Sequence, residues 1–107
     1  MIRVVIAGDD DGDAAELAMA LRDAGIEVVY TGPLRTAEQV AATVVQEDAD
    51  AVGFRGTDEA AVAELRGLLV ERGAEDVVVF PSTAAPDEIV QSLTGTDTRR
   101  SESTRTT

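Results

Sequence analysis

Apolar residues in this chain follow two alternating rhythms. Short, nearly continuous runs, Ile2-Arg3-Val4-Val5-Ile6-Ala7, Ile26 to Tyr30, Ala51-Val52-Gly53-Phe54 and Asp76-Val77-Val78-Val79-Phe80, read as buried β-strands. Between and after them the apolar spacing becomes helical: Leu17 and Leu21, then Val40, Val44 and Val45, then Val62, Leu65 and Leu69, and last Ile89, Val90 and Leu93. Helix signals sit where this alternation needs them. Asp13 reads as an N-cap with Glu16 three residues on, Gly25 stands at a helix end, and Thr36 with Gln39 makes a capping box. Thr57, followed by Asp58 and Glu59, opens the third helix, which stops near Gly73, and Pro86 suits the first position of the last one. Thr31-Gly32-Pro33-Leu34-Arg35 reads as a loop.

Four strand–helix alternations with continuous apolar strands predict an α/β domain, a parallel sheet with helices on both faces. Right-handed crossovers and the short first strand favour a flavodoxin-like sheet of order 2-1-3-4. A fifth strand is expected and no segment supplies it, so the fourth strand is a candidate exposed edge that dimerisation would cover. From Thr94 to Thr107 the chain is threonine, serine and arginine with little to bury; the domain is therefore placed at residues 1–93 and a disordered tail at 94–107.

Composition narrows the chemistry. In 107 residues there are 21 acidic and nine basic side chains, every basic one arginine, giving a formal charge of −12. An acid-rich, lysine-free chain resembles in composition the proteins of extreme halophiles. It also argues against nucleic acid as a partner, because phosphate neutralisation needs a basic face. No apolar run approaches the ~20 residues of a membrane span, and a soluble cytoplasmic protein is expected. With no histidine, cysteine or lysine the usual nucleophiles and general bases are missing, so no catalytic residue is assigned and catalysis by the chain alone is not expected.

Arg3-Val4-Val5-Ile6-Ala7, Asp11-Gly12, the glycine before the second strand, and above all Thr31-Gly32-Pro33-Leu34-Arg35-Thr36-Ala37-Glu38-Gln39-Val40 resemble the small cobalamin-binding domain of methylmalonyl-CoA mutase and related mutases. The resemblance spans roughly residues 1–93. It implies that a corrin would sit over the carboxyl ends of the strands, with three motifs lining the pocket. In Asp-x-His-x-x-Gly the histidine ligates cobalt; here Asp11 matches, Gly12 follows it, and Asp13 replaces the histidine. The Ser-x-Leu that lines the nucleotide-tail channel becomes Arg55-Gly56-Thr57, and a Gly-Gly pair after the fourth strand becomes Pro81-Ser82. Carboxylate is a hard ligand and a poor substitute for imidazole.

Asp11, Gly12, Asp13, Arg55, Thr57 and Ser82 are thus the candidate cofactor-binding positions, and no metal site is assigned. Asp9-Asp10-Asp11 is either a solvated acidic loop or a magnesium pocket of the kind response-regulator receivers use, although Arg55 stands where a receiver has its phosphoacceptor. Arg55 itself either holds an anion in the crevice or bridges to those aspartates, and Ser82 and Thr83 either donate to the same anion or cap the last helix. The sequence supports a degenerate cobalamin-binding-like module, non-catalytic, associated with a mutase large subunit or a second copy of itself. Two alternatives stay open: a carrier that holds cobalamin with its own base attached, and a receiver-like regulator responsive to anions or magnesium.

Overall fold

The computed structural model describes residues 2–8, 13–32, 36–55, 58–81 and 84–95, with the side chain of Asp13 outside the description. Strands β1 (Arg3–Gly8), β2 (Glu27–Gly32), β3 (Ala51–Arg55) and β4 (Val78–Phe80) alternate with helices α1 (Asp13–Asp23), α2 (Ala37–Glu47), α3 (Glu59–Glu71) and α4 (Pro86–Val90); a single π-type turn, Gln91–Gly95, follows α4. The sheet is parallel throughout and ordered β2-β1-β3-β4, as the alternation predicts.

Each face of the sheet carries its own core. On one side Val5, Ala7, Val52 and Phe54 meet Val40, Ala41 and Val44 of α2 and Val62, Leu65 and Leu69 of α3. On the other, Val4, Ile6, Ala51 and Phe80 meet Ala14, Leu17 and Leu21 of α1 and Ile89 of α4. This two-sided burial is why the strands read as continuous apolar runs. One expected core position is different: Val45 is 45% exposed, because it lies a hundred-degree step around α2 from buried Val44.

Local signals explain most boundaries. Thr36 caps α2 with both bonds of the capping box, Gln39 N–H to Thr36 Oγ1 at 3.1 Å and Thr36 N–H to Gln39 Oε1 at 3.2 Å. α3 is capped by Asp58, which accepts from the Ala61 amide at 3.0 Å, one residue later than the expected Thr57. Asp13 is the first residue of α1, one place inside the cap position expected for it. Thr31 and Gly32 belong to β2 instead of the loop, since a bulge opposite Ile6 and Ala7 lets the strand run one residue further and pairs Ala7 with Gly32. The N-cap of α4 is Ala85, whose amide donates to Glu88 Oε1 at 3.0 Å; Ser82 and Thr83, the expected alternatives as caps, lie outside the described residues. Thr94, assigned to the tail by composition, lies in the turn after α4 and donates to the Val90 carbonyl at 2.8 Å; residues 96–107 lie outside the described part.

The side on which α4 packs accounts for the four-stranded sheet. The chain crosses from β1 to β2 in one direction and from β2 to β3 to β4 in the other, so right-handed crossovers put α1 on one face and α2 and α3 on the opposite face. A fifth parallel strand beyond β4 would need its crossover helix beside α3. α4 packs with α1 instead, through Ile89, Val90 and Leu93. It closes the second face, and among the described residues no further strand follows it.

Candidate functional site

In a doubly wound sheet the ligand position is the crevice at the carboxyl ends of the strands, where the chain direction switches between β1 and β3. Here those ends are Gly8, Gly32, Arg55 and Phe80. Of the expected site residues, Asp11, Gly12, Thr57 and Ser82 lie outside the described part, as do Asp9, Asp10 and Thr83, and Asp13 is placed by its backbone alone at the start of α1. Arg55 is described fully. It ends β3, pairs with Gly8 as the last rung of the β1–β3 ladder, and is 4% exposed, the one buried charged residue among those described. It takes part in a polar interaction within the chain.

Two glycines make room for it. Gly53, two residues earlier on the same face of β3, has no side chain; a Cβ there would stand 3.2 Å from Ile6 Cδ1, 3.4 Å from Leu17 Cδ2 and 4.0 Å from Arg55 Cδ. The space over Gly53 is therefore already shared by Ile6, Leu17 of α1 and the aliphatic stem of Arg55. Gly8, at φ +146°, brings the end of β1 against β3 so closely that any Cβ would collide with the Arg55 carbonyl. In the sequence Gly53 reads only as part of a strand; the signal that marks it is that glycine within a strand points to a close approach, although the atoms that fill the gap carry no such signal.

Across the row below Arg55 run Tyr30, Ile6, Gly53 and Phe80, all in register on the α1 face. The Tyr30 hydroxyl is buried and has no hydrogen-bond partner among the described residues. At the opposite, amino end of the sheet lies a cavity of about 350 Å³ bordered by Asp48, Asp50, Asp76 and Arg72. No group of three or more carboxylate, imidazole or thiol side chains able to hold a metal occurs among the described residues, and none of their helices is long and apolar enough to cross a membrane.

The amino-acid sequence is similar to those of two curated relatives. The chain is 41% identical over 95 residues to the small subunit of 2-hydroxyisobutanoyl-CoA mutase from Aquincola tertiaricarbonis, a match covering 81% of this chain and 69% of that protein. The chain belongs to the small-subunit family of the CoA mutases. It is also 32% identical over 87 residues to the small subunit of pivalyl-CoA mutase from Xanthobacter autotrophicus, covering 79% of this chain but 58% of that one. No protein-family model matches the chain. This chain contains no histidine and no cysteine. At the position expected to carry the first residue of Ser-x-Leu stands Arg55, buried, with its stem over Gly53.

Proposed function

We propose that this protein is a non-catalytic, mutase-associated module of the cobalamin-binding type whose cofactor site has been converted into a packed end of the sheet. The observation that carries this reading is Arg55: a guanidinium buried at the carboxyl end of β3, its stem occupying the space between the sheet and α1. The family membership supports a mutase large subunit as the partner, since both relatives are themselves small subunits. Displacing the cofactor's own base from cobalt takes another nitrogen donor, and the chain has no imidazole to offer. This end of the sheet would then serve assembly, with the cofactor supplied elsewhere.

The test is a titration of the wild type and of Asp13→His with hydroxocobalamin, followed by absorbance and equilibrium dialysis. Both proteins are expected to bind weakly or not at all, because the histidine restores a ligand but leaves Arg55 in the channel. Tight stoichiometric binding by the wild type overturns the reading. A base-on spectrum in that complex would make the protein a cobalamin carrier that leaves the cofactor's base in place.

A further inference from the structure

The sheet has two edges, and they are built differently. β4 is three residues long. Its Val78 amide donates to the Asp50 carbonyl inside the sheet, so Val79 presents its backbone groups outward, and there Arg66 of α3 covers the Val79 carbonyl at 3.3 Å. A cation laid over a short edge is a common way to keep strands from adding to it. β2 is twice as long, Glu27-Val28-Val29-Tyr30-Thr31-Gly32, and within it no lysine, arginine or proline interrupts the edge. Its single charge, Glu27, is held by Arg3 of β1 at 3.2 Å.

The direction of the backbone groups on β2 follows from one bond. The Glu27 amide donates to the Ile2 carbonyl at 3.0 Å, so Glu27 and Val29 turn their peptide groups toward β1, while Val28 and Tyr30 turn theirs away from the sheet.

We propose that β2 is a self-association edge, on which a second copy of this chain pairs antiparallel about a two-fold axis at Val29. Val28 then exchanges both backbone hydrogen bonds with Tyr30 of the second copy, and the reverse pair forms by symmetry, giving one continuous eight-stranded sheet. Charge selects this occupant and this direction. The chain carries 21 acidic residues, yet its longest edge is neutral except for Glu27. In the antiparallel register Glu27 lies beside Thr31 of the second copy, whereas parallel pairing would set the two Glu27 carboxylates against each other, which is destabilising. The antiparallel register also places Val28 and Tyr30 of opposite copies side by side on the α1 face, a favourable β-branched–aromatic pair. Two bodies of charge −12 repel at a distance, so the dimer forms at molar salt and dissociates in dilute buffer. This assembly does not depend on the cofactor reading, and a failure of either leaves the other standing.

Sedimentation equilibrium in molar potassium chloride is the test, on the wild type and on Val28→Pro, with circular dichroism as the control for folding. Proline is tolerated where the amide faces out of an edge strand, and here it deletes an outward donor. The expected result is a wild-type mass twice 11.2 kDa at high salt and a dimer at least tenfold weaker for Val28→Pro. Amide exchange on the wild type gives a second reading that needs no variant: Val28 and Tyr30 should be protected in concentrated and not in dilute solution, and Val29 in both. A wild type that stays monomeric at every salt concentration overturns the proposal. So does a dimer indifferent to Val28→Pro, or one tightened by Arg66→Ala, which would move the contact to β4. Protection of the Val28 and Tyr30 amides that appears only when a CoA-mutase large subunit is added also overturns it, assigning the edge to that partner.

Discussion

Asp48 is the residue whose conformation and chemistry disagree most with its place. It closes α2 in the left-handed region, φ 53° and ψ 49°, with its amide donating to the Val44 and Val45 carbonyls. A side chain there is strained where glycine is not, and a carboxylate at a helix C-terminus opposes the macrodipole. Asp48→Gly should raise stability by about 1 kcal/mol in a denaturant melt, and Asp48→Asn by a smaller amount from charge alone; a loss in both would show that Asp48 has a structural partner. At this scale the sequence was legible where the chemistry is local. Arg55 stood out because a charge directly after a buried strand has few places to go. It was not legible that Gly53 would open the room for its stem, since that depends on Leu17 arriving from α1, a contact between distant parts of the chain.

Elements were read from capping chemistry and periodicity, and the misplacements have physical causes. Thr57 and Asp58 are adjacent residues that both make good caps, and it is Asp58 that takes the position. Asp58→Ala should therefore cost about 1 kcal/mol, because the Ala61 amide loses its acceptor; a thermal melt unchanged by the substitution would mean that a neighbour takes over the cap. β2 extends past its apolar run because the bulge at Thr31 continues the pairing to Gly32, and no periodicity in the sequence encodes a bulge. The exposed fourth strand was anticipated. Its cover by Arg66 was not, since a residue on a helix thirteen positions earlier supplies it.

For the molecule as a whole, parallel order and strand sequence were accessible from alternation and handedness, and so was its charge. Up to Leu93 there are six arginines and 19 acidic residues, and 6 − 19 gives −13. Described ion pairs such as Arg3 with Glu27 and Arg72 with Glu38 at 3.7 Å engage few of these carboxylates. The melting temperature should rise steeply from dilute buffer to molar potassium chloride, where the screening length falls to ~3 Å. An unchanged melt would show that self-repulsion is not what limits stability.

The side taken by α4 bears on how such a sheet could be enlarged by design. Since α4 has already crossed to the face of α1, chain added after it begins on the wrong side to lay a right-handed strand against β4. A helix and strand spliced in between Pro81 and Ala84 would start from the right place: the new helix beside α3, the new strand against β4, and α4 returning to its present seat. Growth of this architecture is an insertion at one internal joint and not an extension of its end.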